Sequence, residues 1–423
     1  MKRGLIAAVS AIAVAAVVAA SVGAWQQPRG PAGISDGIGA SDSISASRNS
    51  TDLFTPISDS SLPTLRDSSL KVEKVVEGLS SPTSMVFVGN DIIVTQKNGN
   101  VRLVSGGSLQ GASALTFNVE TASERGLLGV AYGDDKVFFY LTESSDSDTR
   151  HRVYKYDLQD GALLNKVMIL DLPGTPGPNH DGGKIVVGPD GHLYAVIGDL
   201  NRNGMLQNYP NGPEPDDTSV ILKVDSEGEP AANVLSGNDR LASYYAYGIR
   251  NGFGMDFDPM TDTLWATENG PDVYDEINVV KPGFNSGWEP IMGPISMTSA
   301  TEGELVMFDG AHYADPVFSW RQPVGVTDLA FLDSDKLGEK YENNIFVGEI
   351  NGGNLYFFEV NEARDGLVLE GALSDLVADN RDELSAVTLG TGFRGITDIQ
   401  TGSDGNLYVL SYSGNIYRLV PAQ

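Results

Sequence analysis

Asp190-Gly191-His192-Leu193-Tyr194-Ala195-Val196 and Asp404-Gly405-Asn406-Leu407-Tyr408-Val409-Leu410 are two copies of one phrase, an Asp-Gly turn followed by a short apolar strand. Weaker copies of the strand recur along the chain. Each is followed, after a Gly or polar turn, by a second strand of alternating apolar residues. The pairs are residues 91–94 with 101–104, 137–140 with 153–156, 192–196 with 221–224, 263–266 with 277–280, 344–347 with 355–358, and 406–410 with 416–419. A lone hairpin cannot bury both faces, so repeated hairpins must stack on one another. Spread over residues 70–423, six copies leave about 59 residues each, room for a four-stranded unit and its loops. The expected fold is all-β: a six-bladed β-propeller of four-stranded antiparallel blades, with an axial channel ringed by loops. No apolar helical periodicity is sustained after the N-terminus, which disfavours an α/β barrel.

Composition narrows the function. The 49 Gly and 21 Pro among 423 residues suit many short strands and turns. With no Cys, disulfides, thiolate metal sites and thiol nucleophiles are excluded. Asp and Glu total 56 against 28 Lys and Arg, a formal charge of −28. Such a chain repels phosphate backbones and anionic lipid, so a nucleic-acid function is not expected.

Met1-Lys2-Arg3 precedes an uncharged apolar stretch from Gly4 to Trp25, with Val22-Gly23-Ala24 as a small-residue cleavage signal. Residues 1–25 read as a signal peptide or, since the stretch is long enough to span a bilayer, as a membrane anchor formed by an apolar helix. Either way the protein is expected to be exported to the extracellular, periplasmic or cell-surface side. Residues 26–69 are Ser/Gly/Pro-rich and read as a flexible linker ahead of the propeller at 70–423. Asn49-Ser50-Thr51 within it is a glycosylation sequon.

Three loops between the repeats can carry chemistry. In Pro178-Asn179-His180-Asp181-Gly182-Gly183, His180 is the one histidine of four that sits in a Gly-rich polar loop; His151 lies between two arginines and His192 in a strand. In Gly248-Ile249-Arg250-Asn251-Gly252, glycines let backbone approach closely while the guanidinium offers a planar fork of donors. In Glu268-Asn269-Gly270-Pro271-Asp272, turn carbonyls and nearby carboxylates are the hard oxygens Ca²⁺ prefers. Each also has a bland reading as a solvated loop, a surface ion pair or an acidic turn. No Walker loop, nucleophile elbow or dinucleotide fingerprint occurs.

Taken in order with Gly78-Leu79-Ser80-Ser81-Pro82, Glu124-Arg125-Gly126-Leu127-Leu128-Gly129, Asp275-Glu276-Ile277-Asn278 and Gly283-Phe284-Asn285-Ser286-Gly287-Trp288, these loops resemble the glucose/sorbosone dehydrogenase family. These are the soluble aldose sugar dehydrogenases that depend on pyrroloquinoline quinone (PQQ), and the resemblance runs from about Val72 to Val420. It implies His180 as general base toward the anomeric hydroxyl and Arg250 as the stabiliser of charge on the quinone, with Asn251 and Glu124 as cofactor neighbours. It implies Gly270 and Pro271 as carbonyl ligands of a Ca²⁺ that polarises PQQ. Where the family places a lysine and two arginines against the cofactor's carboxylates, this chain has Asn351, Gly395 and Thr397, with Arg394 and Arg321 as nearby cations. Two readings follow. One is an exported PQQ- and Ca²⁺-dependent oxidoreductase that oxidises a sugar hydroxyl to a lactone or acid and passes electrons to an external acceptor. The other is a non-catalytic propeller that binds carbohydrate or protein. Tyr209, Tyr313 and Trp320 are candidates for stacking on a sugar.

Overall fold

The computed structural model describes residues 53–422 except 60, 146–147, 203–207, 213 and 238. The export signal, the sequon and most of the linker lie outside them. Each hairpin read from the repeat forms at the expected place: Ile93 pairs with Leu103, Phe139 with Tyr154, Ala195 with Leu222, Ala266 with Asn278, Phe346 with Phe357 and Val409 with Tyr417. Apolar residues at every second position put one flank of each hairpin against each neighbour, which is why both flanks are buried.

The strands assemble into six sheets, and the chain is an all-β propeller. Each sheet begins with an inner strand, at Pro82–Val88, Leu127–Gly133, Ile185–Val187, Gly254–Phe257, Val326–Phe331 and Ile396–Thr401. Core side chains sit between successive sheets rather than within one. Ile93 and Val101 of the first meet Val130 and Phe139 of the second, Phe138 and Tyr140 meet Leu193 and Leu222 of the third, and Tyr194 and Ile221 meet Met255 and Leu264 of the fourth. Trp265 and Ile277 meet Leu329 and Ile345 of the fifth, Phe346 and Leu355 meet Ile399 and Leu407 of the sixth, and Tyr408 and Ile416 return to Met85 and Val94 of the first. Each such side chain taken out of water contributes about 1.5–3 kcal/mol. An axial cavity of about 310 Å³ is lined from all six inner strands, by Val86, Val130, Val186, Asp256, Phe331 and Gln400 among others. Beside it Lys184 Nζ lies 2.8 Å from Asp328 and 3.3 Å from Asp398, and Asp398 accepts from Ser84 Oγ at 2.6 Å, a polar tie across four sheets.

Three features differ from the sequence reading. Only the second and sixth sheets are plain four-stranded antiparallel units. Phe284–Asn285 pairs parallel to Tyr244–Tyr247, His312–Tyr313 parallel to Phe284–Asn285, and Val377–Ala378 parallel to Phe318–Trp320. The long connections re-enter these edges in the direction of the strand already there, so they can only pair in parallel. The second difference is at the linker: from Leu53 onward the chain packs rather than hangs free. Phe54 is buried against Tyr408, and Thr64–Leu65 pairs with Thr391 and Gly390 of the fifth sheet. Leu70–Val76 then pairs with Asn415–Pro421, so the sixth sheet joins segments from near the two ends of the described residues. Third, the described residues contain one α-helix, Arg381–Val387, capped by Asn380; the expected N-terminal apolar helix falls outside them, and no helix of the described residues is long and apolar enough to cross a membrane.

Candidate active site

The topology gathers the candidate loops at one end of the ring. In an antiparallel meander, the segment entering each inner strand and the turn between the second and third strands lie on the same face. Glu124, His180, Arg250 and Arg394 precede the inner strands of the second, third, fourth and sixth sheets, while Asp199, Asn269-Gly270-Pro271 and Asn351 sit in second-to-third turns. Residues far apart in the chain therefore share a rim.

His180 is 9% exposed and takes a left-handed backbone, φ 62°. That conformation costs a non-glycine residue on the order of 1 kcal/mol or more. It is held in place because the His180 N–H donates to Glu124 Oε2 at 2.7 Å. The same carboxylate oxygen accepts from Asn251 Nδ2 at 3.2 Å, which ties the histidine loop to the arginine loop. Between these loops lies Gly198: a Cβ there would come within 2.5 Å of both the His180 and the Arg250 carbonyl oxygens. Only glycine permits that approach.

The imidazole Nδ1 lies 2.6 Å from Asp199 Oδ1. A carboxylate can only accept, so Nδ1 carries a proton, and in the neutral ring Nε2 then presents its lone pair to a ligand. Asp199 is held below the usual carboxylate range: burial pushes it up, and hydrogen bonds from His180 and Trp288 overcome that. Trp288 Nε1 donates to its other oxygen at 2.8 Å.

Arg250 donates from Nη1 to Asn269 O at 2.7 Å, and its Cζ lies 5.3 Å from the Trp288 ring. Burial pulls its pKa down while Asp199 and Glu268 push back. Its Nε and Asn251 Oδ1 are buried with no hydrogen-bond partner among the described residues. Beneath it, Glu268 accepts from the Arg250 N–H at 2.7 Å and from Ser286 Oγ at 2.5 Å. Burial pushes Glu268 up to about 7, against those hydrogen bonds.

Gly270 is buried and Pro271 exposed in the next turn. The nearby Asp275 cannot turn toward a cation there, because its oxygens accept from the N–H groups of Gly270, Val324, Gly325 and Val326 at 2.7–3.2 Å. Asp275 is thus not free to join the turn's carbonyl oxygens, and among the described residues no three His, Asp or Glu converge as a metal cage. Asn351 and Arg394 are exposed on the same rim, and Thr397 Oγ1 donates to Leu410 O at 3.4 Å. No hydrogen bond among the described residues joins these three to His180 or Arg250. The stacking candidates separate: Tyr209 is 43% exposed with its hydroxyl on Glu289, Tyr313 is half-buried, and Trp320 is buried against Phe318 and Tyr356 in the core.

Sequence reasoning missed Asp199, the partner that fixes the imidazole, and gave Trp288 no role. It also set His151 aside. That ring is fully buried, 3.0 Å from Asp181 and 3.1 Å from Thr142, behind the His180 loop. The signal was present, since the two-residue period of Thr149–Gln159 turns His151 inward with Val153 while Arg150 and Arg152 stay outward.

Known proteins share this arrangement of chain. The model of the glucose/sorbosone dehydrogenase family matches residues 79–418. The aldose sugar dehydrogenase YliI of Escherichia coli is 26% identical over 376 residues, 87% of this chain and 88% of that protein. The quinoprotein glucose dehydrogenase B of Acinetobacter calcoaceticus is 24% identical over 271 residues, 56% of each. The PQQ-bound aldose sugar dehydrogenase of Streptomyces coelicolor superposes with a TM-score of 0.62 at 22% identity, covering 85% of this chain and 99% of that one, a likeness of fold.

Proposed function

Because the chain belongs to the glucose/sorbosone dehydrogenase family, we propose that it is an exported sugar dehydrogenase that uses PQQ, with Ca²⁺, on the rim of a six-bladed ring to oxidise an aldose to its lactone. The observation that carries the reading is the convergence of a carboxylate-held imidazole and a buried guanidinium on one tryptophan. The residues fit the cofactor at its reacting end through Arg250 Nε, a buried donor with no hydrogen-bond partner among the described residues that can give its proton to a quinone oxygen. At the carboxylate end Asn351, Arg394 and Thr397 supply one cation and two neutral groups, so binding there relies on Arg394, with Arg321 further along the rim. When bound, PQQ supplies the quinone that accepts two electrons, later delivered to an external acceptor. The carbonyls of Gly270 and Pro271 would hold Ca²⁺ beside it.

The chain's own residues do the rest. His180 Nε2 takes the proton of the anomeric hydroxyl, and Asp199 steadies the imidazolium that forms. Arg250 holds positive charge where negative charge develops, in a site dry enough for that charge to count. Glu124 keeps the two loops in register through the His180 N–H and the Asn251 amide. Export rests on Met1-Lys2-Arg3 and the apolar run behind it.

The test is dye reduction by purified protein with aldose after addition of PQQ and Ca²⁺. Wild type should turn over and His180→Ala should lose at least about 100-fold in kcat. No aldose-dependent rate above that of His180→Ala would overturn the enzyme reading in favour of a binding module.

A further inference from the structure

Trp288 touches both halves of the site. Its Nε1–H donates to Asp199 Oδ2 while Asp199 Oδ1 takes the His180 Nδ1–H, and its face lies 5.3 Å from the Arg250 Cζ. The ring has little freedom: Trp288 is 6% exposed, its backbone N–H donates to Gly248 O at 3.2 Å, and its carbonyl accepts from Asn208 Nδ2 at 2.6 Å. Among the described residues the Arg250 side chain is held by the Asn269 carbonyl and this ring rather than by a carboxylate. A π face holds a cation without neutralising it, so the charge stays available to a ligand. On the other side, a carboxylate that shares its charge with an indole N–H pulls less strongly on the imidazole proton.

We propose that Trp288 is a positioning residue that couples the His180–Asp199 pair to Arg250, setting the proton affinity of the one and the direction of the other through a single ring. The proposal rests on reading His180 and Arg250 as the reacting groups. The other charged groups facing the pair are Glu124, which takes the His180 N–H, Asp181, which turns toward His151 and Arg125, and Glu268 beneath Arg250.

Two variants separate the two contacts. Trp288→Phe keeps a ring beside the guanidinium and removes the N–H; Trp288→Leu removes both. With only four histidines in the chain, imidazole NMR can follow the pair in protein free of cofactor and sugar. In Trp288→Phe the pH at which the pair changes protonation should rise by about one unit, with the Arg250 Nε–H signal in place. In Trp288→Leu the pair should shift likewise and the Arg250 Nε–H should exchange with water at least about tenfold faster. In the loaded enzyme the acid limb of kcat/KM should move with the pair. An unshifted pair in a folded Trp288→Phe, or an Arg250 signal that moves equally in both variants, overturns the coupling. Should neither variant fold, the wild-type Trp288 Nε1–H resonance, assigned through Asp199→Asn, decides: it must shift across the titration of the pair, and a flat response overturns the proposal. The NMR measurements need no turnover, so failure of the sugar oxidation assay and failure of this coupling are separate results.

Discussion

At the scale of single residues, the site depends on how closely two loops approach. Gly198→Ala would place a methyl against the His180 and Arg250 carbonyls. We expect kcat to fall at least tenfold with the six sheets intact, checked by kinetics alongside circular dichroism, since a displacement of about 1 Å can cost that much or more. Asp199→Asn keeps the shape but removes the charge that steadies the imidazolium. The expected loss is about 100-fold or more in kcat with little change in KM, read from steady-state rates. His180, Arg250 and Asn251 were legible because glycines flank them in polar loops. Asp199 was not, because it follows an unbroken apolar strand, Leu193–Ile197, in the next turn, with nothing local to mark it as the partner of a side chain 19 residues earlier. The expected cofactor contacts of Asn351 and Thr397 came from the resemblance alone: Asn351 is exposed on the rim, and Thr397 Oγ1 donates to Leu410 O.

At the scale of elements, a period of two decides what can be read. The second and third strands of every sheet are long enough to show alternation, and each was located in the sequence. The parallel additions at 284–285, 312–313 and 377–378 are two residues each and carry no period. The linker misled through composition: Ser and Pro are frequent in residues 53–69, yet Phe54 is 3% exposed and Tyr341 donates to Asp67 at 2.6 Å. Phe54→Ala should therefore destabilise by about 3 kcal/mol, where a free tether predicts no change; denaturant unfolding distinguishes the two.

At the scale of the molecule, charge makes stability depend on pH. Burial raises Glu268 to about 7 and Asp256 to about 6 from ordinary values of 4.5 and 3.8. The folded protein thus holds protons that the unfolded chain releases, and the stability they contribute is complete below about pH 4 and is lost as pH rises through 6 to 7. A formal charge of −28 at pH 7 acts in the same direction by self-repulsion. Carboxylates held low by partners, Asp171, Asp190 and Asp258 among them, act in the opposite sense and lose their contribution as pH falls below about 4. The unfolding midpoint should therefore be higher at pH 5 than at pH 8, and Glu268→Gln should flatten part of that slope in a thermal scan. The propeller class was legible from repetition alone, because stacking is the only way such hairpins bury their flanks. Joining Leu70–Val76 to Asn415–Pro421 has a consequence for biosynthesis. Leu70–Val76 finds its neighbour only after Asn415–Pro421 has been made, when every other sheet has already been synthesised, so nascent protein waits with its ring unlatched. A message cut short anywhere before the final strand would yield an open arc with a bare apolar edge, prone to self-association and to proteolysis.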